Sequence, residues 1–74
     1  MMEDLDRVVL TRDLPDKKLK AGDVGTVVMV YKDGEAFEVE FMTIDGDTFA
    51  LETLMAADVR PARGLEIAHA REVA

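Results

Sequence analysis

Short apolar runs separated by turn signals predict an all-β chain folded as a small five-stranded SH3-like barrel. Three observations carry that prediction. The runs are rich in Val, Phe and Thr, residues that suit a pleated, half-buried surface. Two Asp-Gly pairs, Asp33-Gly34 and Asp45-Gly46, fall between runs, where a hairpin needs positive φ. A glycine-rich entry, Gly22-Asp23-Val24-Gly25, opens the second run after a long loop, as small barrels of this kind require. The alternative, an OB-like barrel, needs a helix between its third and fourth strands, and no stretch here supplies one.

Taken in order, Arg7 to Arg12 reads as the first strand, bounded by acidic residues and by Asp13-Leu14-Pro15-Asp16. The segment 13–21 is too short and irregular for a helix and reads as an ordered loop with Leu14 and Leu19 tucked inward. Gly22 to Tyr31 is the second strand. Simple alternation puts Val24, Val28 and Val30 on one side and Val27, Met29 and Tyr31 on the other. Phe37, Val39 and Phe41 face inward on the third strand, with Ala36, Glu38 and Glu40 outward. Thr48 to Leu54 forms the fourth strand, with Phe49 and Leu51 inside and Glu52 outside. Met55 to Asp58 is a single 3₁₀ turn, followed by a brief closing strand at Val59-Arg60 that Pro61 ends. The predicted core is Val8, Val9 or Leu10 with Leu14, Leu19, Val24, Val27, Val28, Phe37, Val39, Phe41, Phe49, Leu51, Leu54 and Val59.

The barrel is expected over residues 1–62, leaving a tail at 63–74. Leu65, Ala68 and Glu72 share one helical stripe in that tail, whereas Leu65, Ile67, His69 and Val73 follow a two-residue period. A short helix is the preferred reading. The tail's apolar residues are surplus to the barrel core, so it either folds back on its own barrel or packs on a second copy. Self-association is the expectation, which makes the chain a candidate homodimer.

Composition narrows the function classes. A chain of 74 residues is one small domain. It has no cysteine, hence no disulfide or zinc–thiolate site, which fits a reducing compartment. The acidic start, without a basic region or a long apolar run, predicts a cytoplasmic chain that neither carries a signal peptide nor enters a membrane. Charge is unevenly placed. The net charge is −7, and residues 33–58 contain eight acids and no base.

Three uses compete for Gly22 and Gly25. A phosphate loop needs its glycines between a strand and a helix N-terminus, and here they open a strand. Nucleic-acid binding would use Arg12, Lys17, Lys18 and Lys20, but the net charge and only four aromatic residues weigh against it. Barrel architecture accounts for both: Gly22 turns the chain into the strand, and Gly25 admits a neighbouring backbone.

The stretches Val9-Leu10-Thr11-Arg12-Asp13-Leu14-Pro15, Leu19 to Val28, Asp33 to Phe41, Thr53-Leu54 and Asp58-Val59-Arg60-Pro61 resemble the small bacterial family catalogued as domain of unknown function 4926. The resemblance spans about residues 5–62 and leaves the tail outside. It implies a small barrel, and it implies members that serve as partners of neighbouring gene products, including toxin–antitoxin-like pairs.

The remaining candidates for chemistry are weak. Glu38, Glu40 and Glu52 form a carboxylate cluster if all face outward, yet a solvated sheet face explains them as well. Asp45-Gly46-Asp47 lacks the ligand-rich loop of a calcium site, and His69 lies in the tail. No cofactor, metal site or catalytic group is therefore expected. The chain reads as a non-enzymatic interaction module that meets a basic partner protein through an acidic face of Glu38, Glu40, Glu52, Asp45 and Asp47. Nucleic-acid binding through the lysine loop is the alternative.

Overall fold

The computed structural model describes residues 2–73. Met1 and Ala74, the outer ends of the expected barrel and tail, lie outside the described residues. Five antiparallel strands form one open sheet in the order β4-β3-β2-β1-β5. They are β1 (Arg7–Leu10), β2 (Val24–Tyr31), β3 (Ala36–Met42), β4 (Thr48–Met55) and β5 (Val59–Pro61). A 3₁₀ turn at Ala56–Asp58 precedes the last strand, as the sequence predicts. The all-β, barrel-like fold stands. There is no α-helix among the described residues.

The inner face of this sheet is the core. Val8 and Leu10 of β1, Val27 of β2, Phe37, Val39 and Phe41 of β3, Leu54 of β4 and Val59 of β5 are all buried. Leu19 joins them from the long loop. Its position is set by a tight closure in which the Leu14 and Leu19 backbones exchange hydrogen bonds of 2.9 and 3.1 Å. Leu14 and Phe49 pack against the core edge, half-buried.

Three predicted core residues are not in the core. Val24 is 41%, Val28 37% and Leu51 51% exposed. Two irregularities in the ladder explain Val28 and Leu51, while Val24, ahead of both, alternates outward from Gly25 and Val27. Between Val27 and Met29 the register of β2 on β3 shifts by one residue, so Val28 is an extra residue with no partner. Side chains past it change face: Gly25 and Val27 point inward before the shift, Val30 after it, while Val24, Met29 and Tyr31 are exposed. A second shift lies between the Phe41–Ala50 and Met42–Thr48 pairs. Past it Leu51 stands opposite Glu40 on the outer face, and Glu52 stands opposite Val39 on the inner one.

Gly25 of β2 lies tight against β3. A methyl group there would lie 2.5 Å from Val39 Cγ1, 3.0 Å from Phe41 Cε1 and 3.1 Å from the Glu40 carbonyl oxygen. No side chain fits. Gly22 serves differently, because its φ of +96° turns the chain into β2 with open space around it. Both glycines are therefore architectural, one by close approach and one by backbone conformation.

The tail is not the expected helix. After a turn at 64–65 it runs irregularly back along its own barrel. Arg60 makes a two-pronged ion pair with Glu66, and Arg71 another with Asp23. Leu65 and Ile67 point to solvent. Two charged clasps, rather than an apolar helical stripe, determine its course.

The crowding at Gly25 yields a direct test. Gly25→Ala must displace Val39, which is β-branched and buried, or the β3 backbone itself. It should lose about 1–3 kcal/mol of stability, read as a lower urea midpoint. An unchanged midpoint would mean that β2 and β3 lie further apart.

Candidate interaction surface

The outer face of β2, β3 and β4 is built from three rows of side chains. Tyr31, Ala36 and Met55 form one, Met29, Glu38 and Thr53 the next, and Thr26, Glu40 and Leu51 the third. Glu38 and Glu40 are neighbours on one face of β3, about 7 Å apart by strand geometry. Around them Met29, Tyr31, Leu51 and Met55 are between 37% and 56% exposed. A pair of carboxylates thus sits amid accessible apolar side chains.

Hydroxyl groups hold these carboxylates in place. The Thr53 hydroxyl donates to Glu38 at 2.5 Å, and the Tyr31 hydroxyl lies 3.5 Å from the same oxygen. Thr48 donates to Glu40. Neither glutamate has a cationic partner among the described residues. Their charges are oriented but not neutralised by the chain itself.

The other acids of the expected cluster are placed differently. Glu52 does not join Glu38 and Glu40, because the second register shift turns it to the inner side. There it is half-buried and lies 3.8 Å from Lys17 Nζ. Asp45 and Asp47 occupy the β3–β4 turn, where Thr43 donates its hydroxyl to Asp45 and its backbone N–H to the Asp47 carbonyl at 2.8 Å. They flank the Glu40 end of the face rather than standing on it.

Two of the four cations of the basic loop are paired by the chain. Arg12 donates its Nε–H to Asp58 at 2.7 Å, and Lys17 faces Glu52. Lys18 has a positive φ of 59°, and its carbonyl accepts a 3.0 Å hydrogen bond from Arg71. Lys20 donates its backbone N–H to Asp23 at 2.9 Å. Arg12 and Lys17 are thus paired through their charged groups, whereas Lys18 and Lys20 are held through their backbones.

Those contacts shift the carboxyls they touch. At Asp58 the Arg12 hydrogen bond outweighs the opposing effect of burial and, with the Met55 N–H, lowers the carboxyl below its ordinary 3.8. At Asp23 burial alone would raise it, but the Arg71 bond, the Lys20 N–H and both positive charges together bring it below 3.8. Glu66 is lowered from 4.5 to about 2, first by Arg60 and then by the Arg63 N–H.

Between the tail and the barrel lies an open groove of about 890 Å³, lined by Phe41, Phe49, Val24, His69 and Arg71 among others. Among the described residues no three His, Cys, Asp or Glu side chains converge as metal ligands. No described helix is long and apolar enough to cross a membrane.

A family model described as domain of unknown function DUF4926 matches residues 4–61. The chain belongs to that family. No curated protein and no solved structure matches it. All five strands fall inside the DUF4926 stretch, and so do Asp23 and Arg60. Their clasp partners Arg71 and Glu66 fall beyond it, so the barrel supplies one half of each clasp and the tail the other.

Sequence reasoning misses the apolar ring around Glu38 and Glu40, because no local signal marks Val28 as an extra residue. It also misses the clasps, whose partners Asp23 and Arg71 are 48 residues apart.

A pH dependence follows from the lowered carboxyls. A carboxyl whose value falls on folding contributes its full restraint above its ordinary value and loses it as pH drops through the lowered one. The Glu66 clasp should therefore hold above about pH 4.5 and open on approach to pH 2. In a carboxyl-detected NMR titration Glu66 should titrate near 2; titration near 4.5 would mean that the tail is not clasped.

Proposed function

We propose that this DUF4926 domain is a small, non-enzymatic interaction module that binds a basic partner protein through the outer face of β2, β3 and β4. One observation carries the reading: Glu38 and Glu40 stand together, without cations, inside a ring of exposed Met29, Tyr31, Leu51 and Met55. An isolated sheet gains nothing from adjacent like charges. A partner's lysine or arginine would meet the carboxylates with its head group and lay its aliphatic stem along the methionines and the tyrosine ring. Asp45 and Asp47 at the nearby turn extend the negative field and steer the approach.

This differs from the purely acidic face expected from composition. Glu52 leaves the contact set, and the apolar ring enters it, giving the short-range part of the affinity. A cytoplasmic location accords with the absence of cysteine. An antitoxin-like role, in which the bound partner is held inactive, is the narrowest form of the proposal and rests on family resemblance alone.

The test is charge reversal. Glu38→Lys combined with Glu40→Lys should slow association with a captured basic partner at least about tenfold and flatten its salt dependence. Partner binding unchanged by the double reversal overturns the proposal. So does tight RNA binding at low salt that disappears when Lys17, Lys18 and Lys20 become alanine, because that would move the function to the loop end.

A further inference from the structure

The clasp between Arg71 and Asp23 has a receiving half that the barrel assembles without the tail. Asp23 stands at the entry to β2. Its carboxylate accepts the Lys20 N–H at 2.9 Å, and its own N–H donates to the Lys20 carbonyl at 3.0 Å. Lys18 is fixed by its left-handed backbone, φ 59°, with its N–H on the Pro15 carbonyl at 3.1 Å. All four residues lie inside the DUF4926 stretch. A held carboxylate and a held carbonyl thus converge on one point.

One guanidinium meets both. Arg71 donates its Nε–H to one Asp23 oxygen at 2.8 Å and its Nη2 to the other at 2.6 Å. The same Nη2 donates to the Lys18 carbonyl at 3.0 Å. A planar fork spans these acceptors, whereas a lysine ammonium is a compact point charge that does not. Lys18 and Lys20 border the site, so directed hydrogen bonds rather than bulk negative charge select the arginine.

The tail itself is held by little else. Residues 63–72 are all exposed, Leu65 and Ile67 among them, and Val73 is half-buried. Val73 and Leu19 border the 890 Å³ groove and also a second one of about 350 Å³ on the side of the basic loop. The tail end therefore lies between two open spaces and fills neither. Val24, Phe49 and Ile44 line the larger groove and leave apolar room for side chains bigger than Ala70 and Val73.

We propose that the Asp23–Lys18 site is a docking site for an extended partner segment with an arginine two residues ahead of a large apolar side chain. The chain's own tail closes this site through Arg71 and Val73, and so acts as an autoinhibitory strap. Glu66, clasped to Arg60, keeps Arg71 close to the site. A partner displaces the strap by placing its own guanidinium on Asp23 and filling the groove that Val73 leaves open. The site shares no residue with the Glu38–Glu40 face, so it stands whether or not that face binds a basic protein.

An amide NMR titration of the full chain with the peptide Ala-His-Ala-Arg-Glu-Val, residues 68–73, tests this. Arg71→Ala opens the site, and the peptide should then shift the Lys18, Lys20 and Asp23 amides saturably. The wild-type chain should bind it at least about tenfold more weakly, because its own tail competes at an effective concentration of about millimolar. Replacing the peptide's arginine with lysine should also weaken binding to the Arg71→Ala chain at least about tenfold. So should adding Asp23→Asn to that chain, with the circular dichroism spectrum retained. Equal binding to wild type and Arg71→Ala overturns the strap. An Arg71→Ala chain that shows no saturable shift, or that takes the lysine peptide equally well, overturns the docking site. Wild-type Lys18 and Asp23 shifts that change with chain concentration also overturn the strap, since a second copy would then fill the site.

Discussion

Strand β2 carries one residue more than β3 can pair, and Val28 is that residue. Two residues of β2 opposing one on β3 is a β-bulge, which bends the strand and changes the face to which every later side chain points. Before it, Gly25 lies so close beneath Val39 and Phe41 that no methyl group fits. After it, Met29 and Tyr31 are turned out of the core and set beside Glu38. Without the bulge Met29 would oppose Phe37 in the interior. The outer face would then lose Met29 and Tyr31, keeping Leu51 and Met55 of β4.

The strand pair also has support on its other side. Leu5 donates its N–H to the Val27 carbonyl at 2.6 Å, and the Val27 N–H donates to the Asp6 carbonyl at 2.9 Å. The chain leading into β1 thus satisfies the backbone of β2 just before the bulge, at a residue that is fully buried. Bulges re-aim side chains where a surface is used. Here the bulge separates a tightly packed inner face from an outer face whose carboxylates have hydroxyl but no cationic partners among the described residues.

Much of this is legible in the sequence, and the main failures share one cause. Strand order, the 3₁₀ turn at Ala56–Asp58 and the inward Phe37, Val39 and Phe41 follow from turn chemistry and clean alternation. Val28 and Leu51 are misplaced by alternation because it assumes an unbroken ladder, and each ladder shift reverses its parity; Val24 is misplaced because β2 buries only one of its two apolar faces. Glu52 moves to the inner face for the same reason as Leu51 moves out. The family resemblance supplies the barrel and cannot supply the shifts. In the tail, weak apolar periodicity suggests a helix, while Arg60–Glu66 and Arg71–Asp23 hold it extended. Ion pairs between tail and barrel leave no periodic trace in a sequence.

The charge pattern is uneven, as composition indicates, but it does not make a single acidic face. Of the eight acids between residues 33 and 58, Asp58 neutralises Arg12, Glu52 approaches Lys17, and Asp45 and Asp47 cap a turn. Glu38 and Glu40, without a cationic partner among the described residues, stand at the centre of a surface that also offers apolar contact. The account therefore rests on which side of β3 Met29 occupies. Cross-strand nuclear Overhauser contacts decide that most directly. They should pair Met29 with Glu38 and Val30 with Phe37. Contacts pairing Val28 with Glu38 and Met29 with Phe37 would remove the bulge, and with it the Met29 and Tyr31 side of the proposed surface.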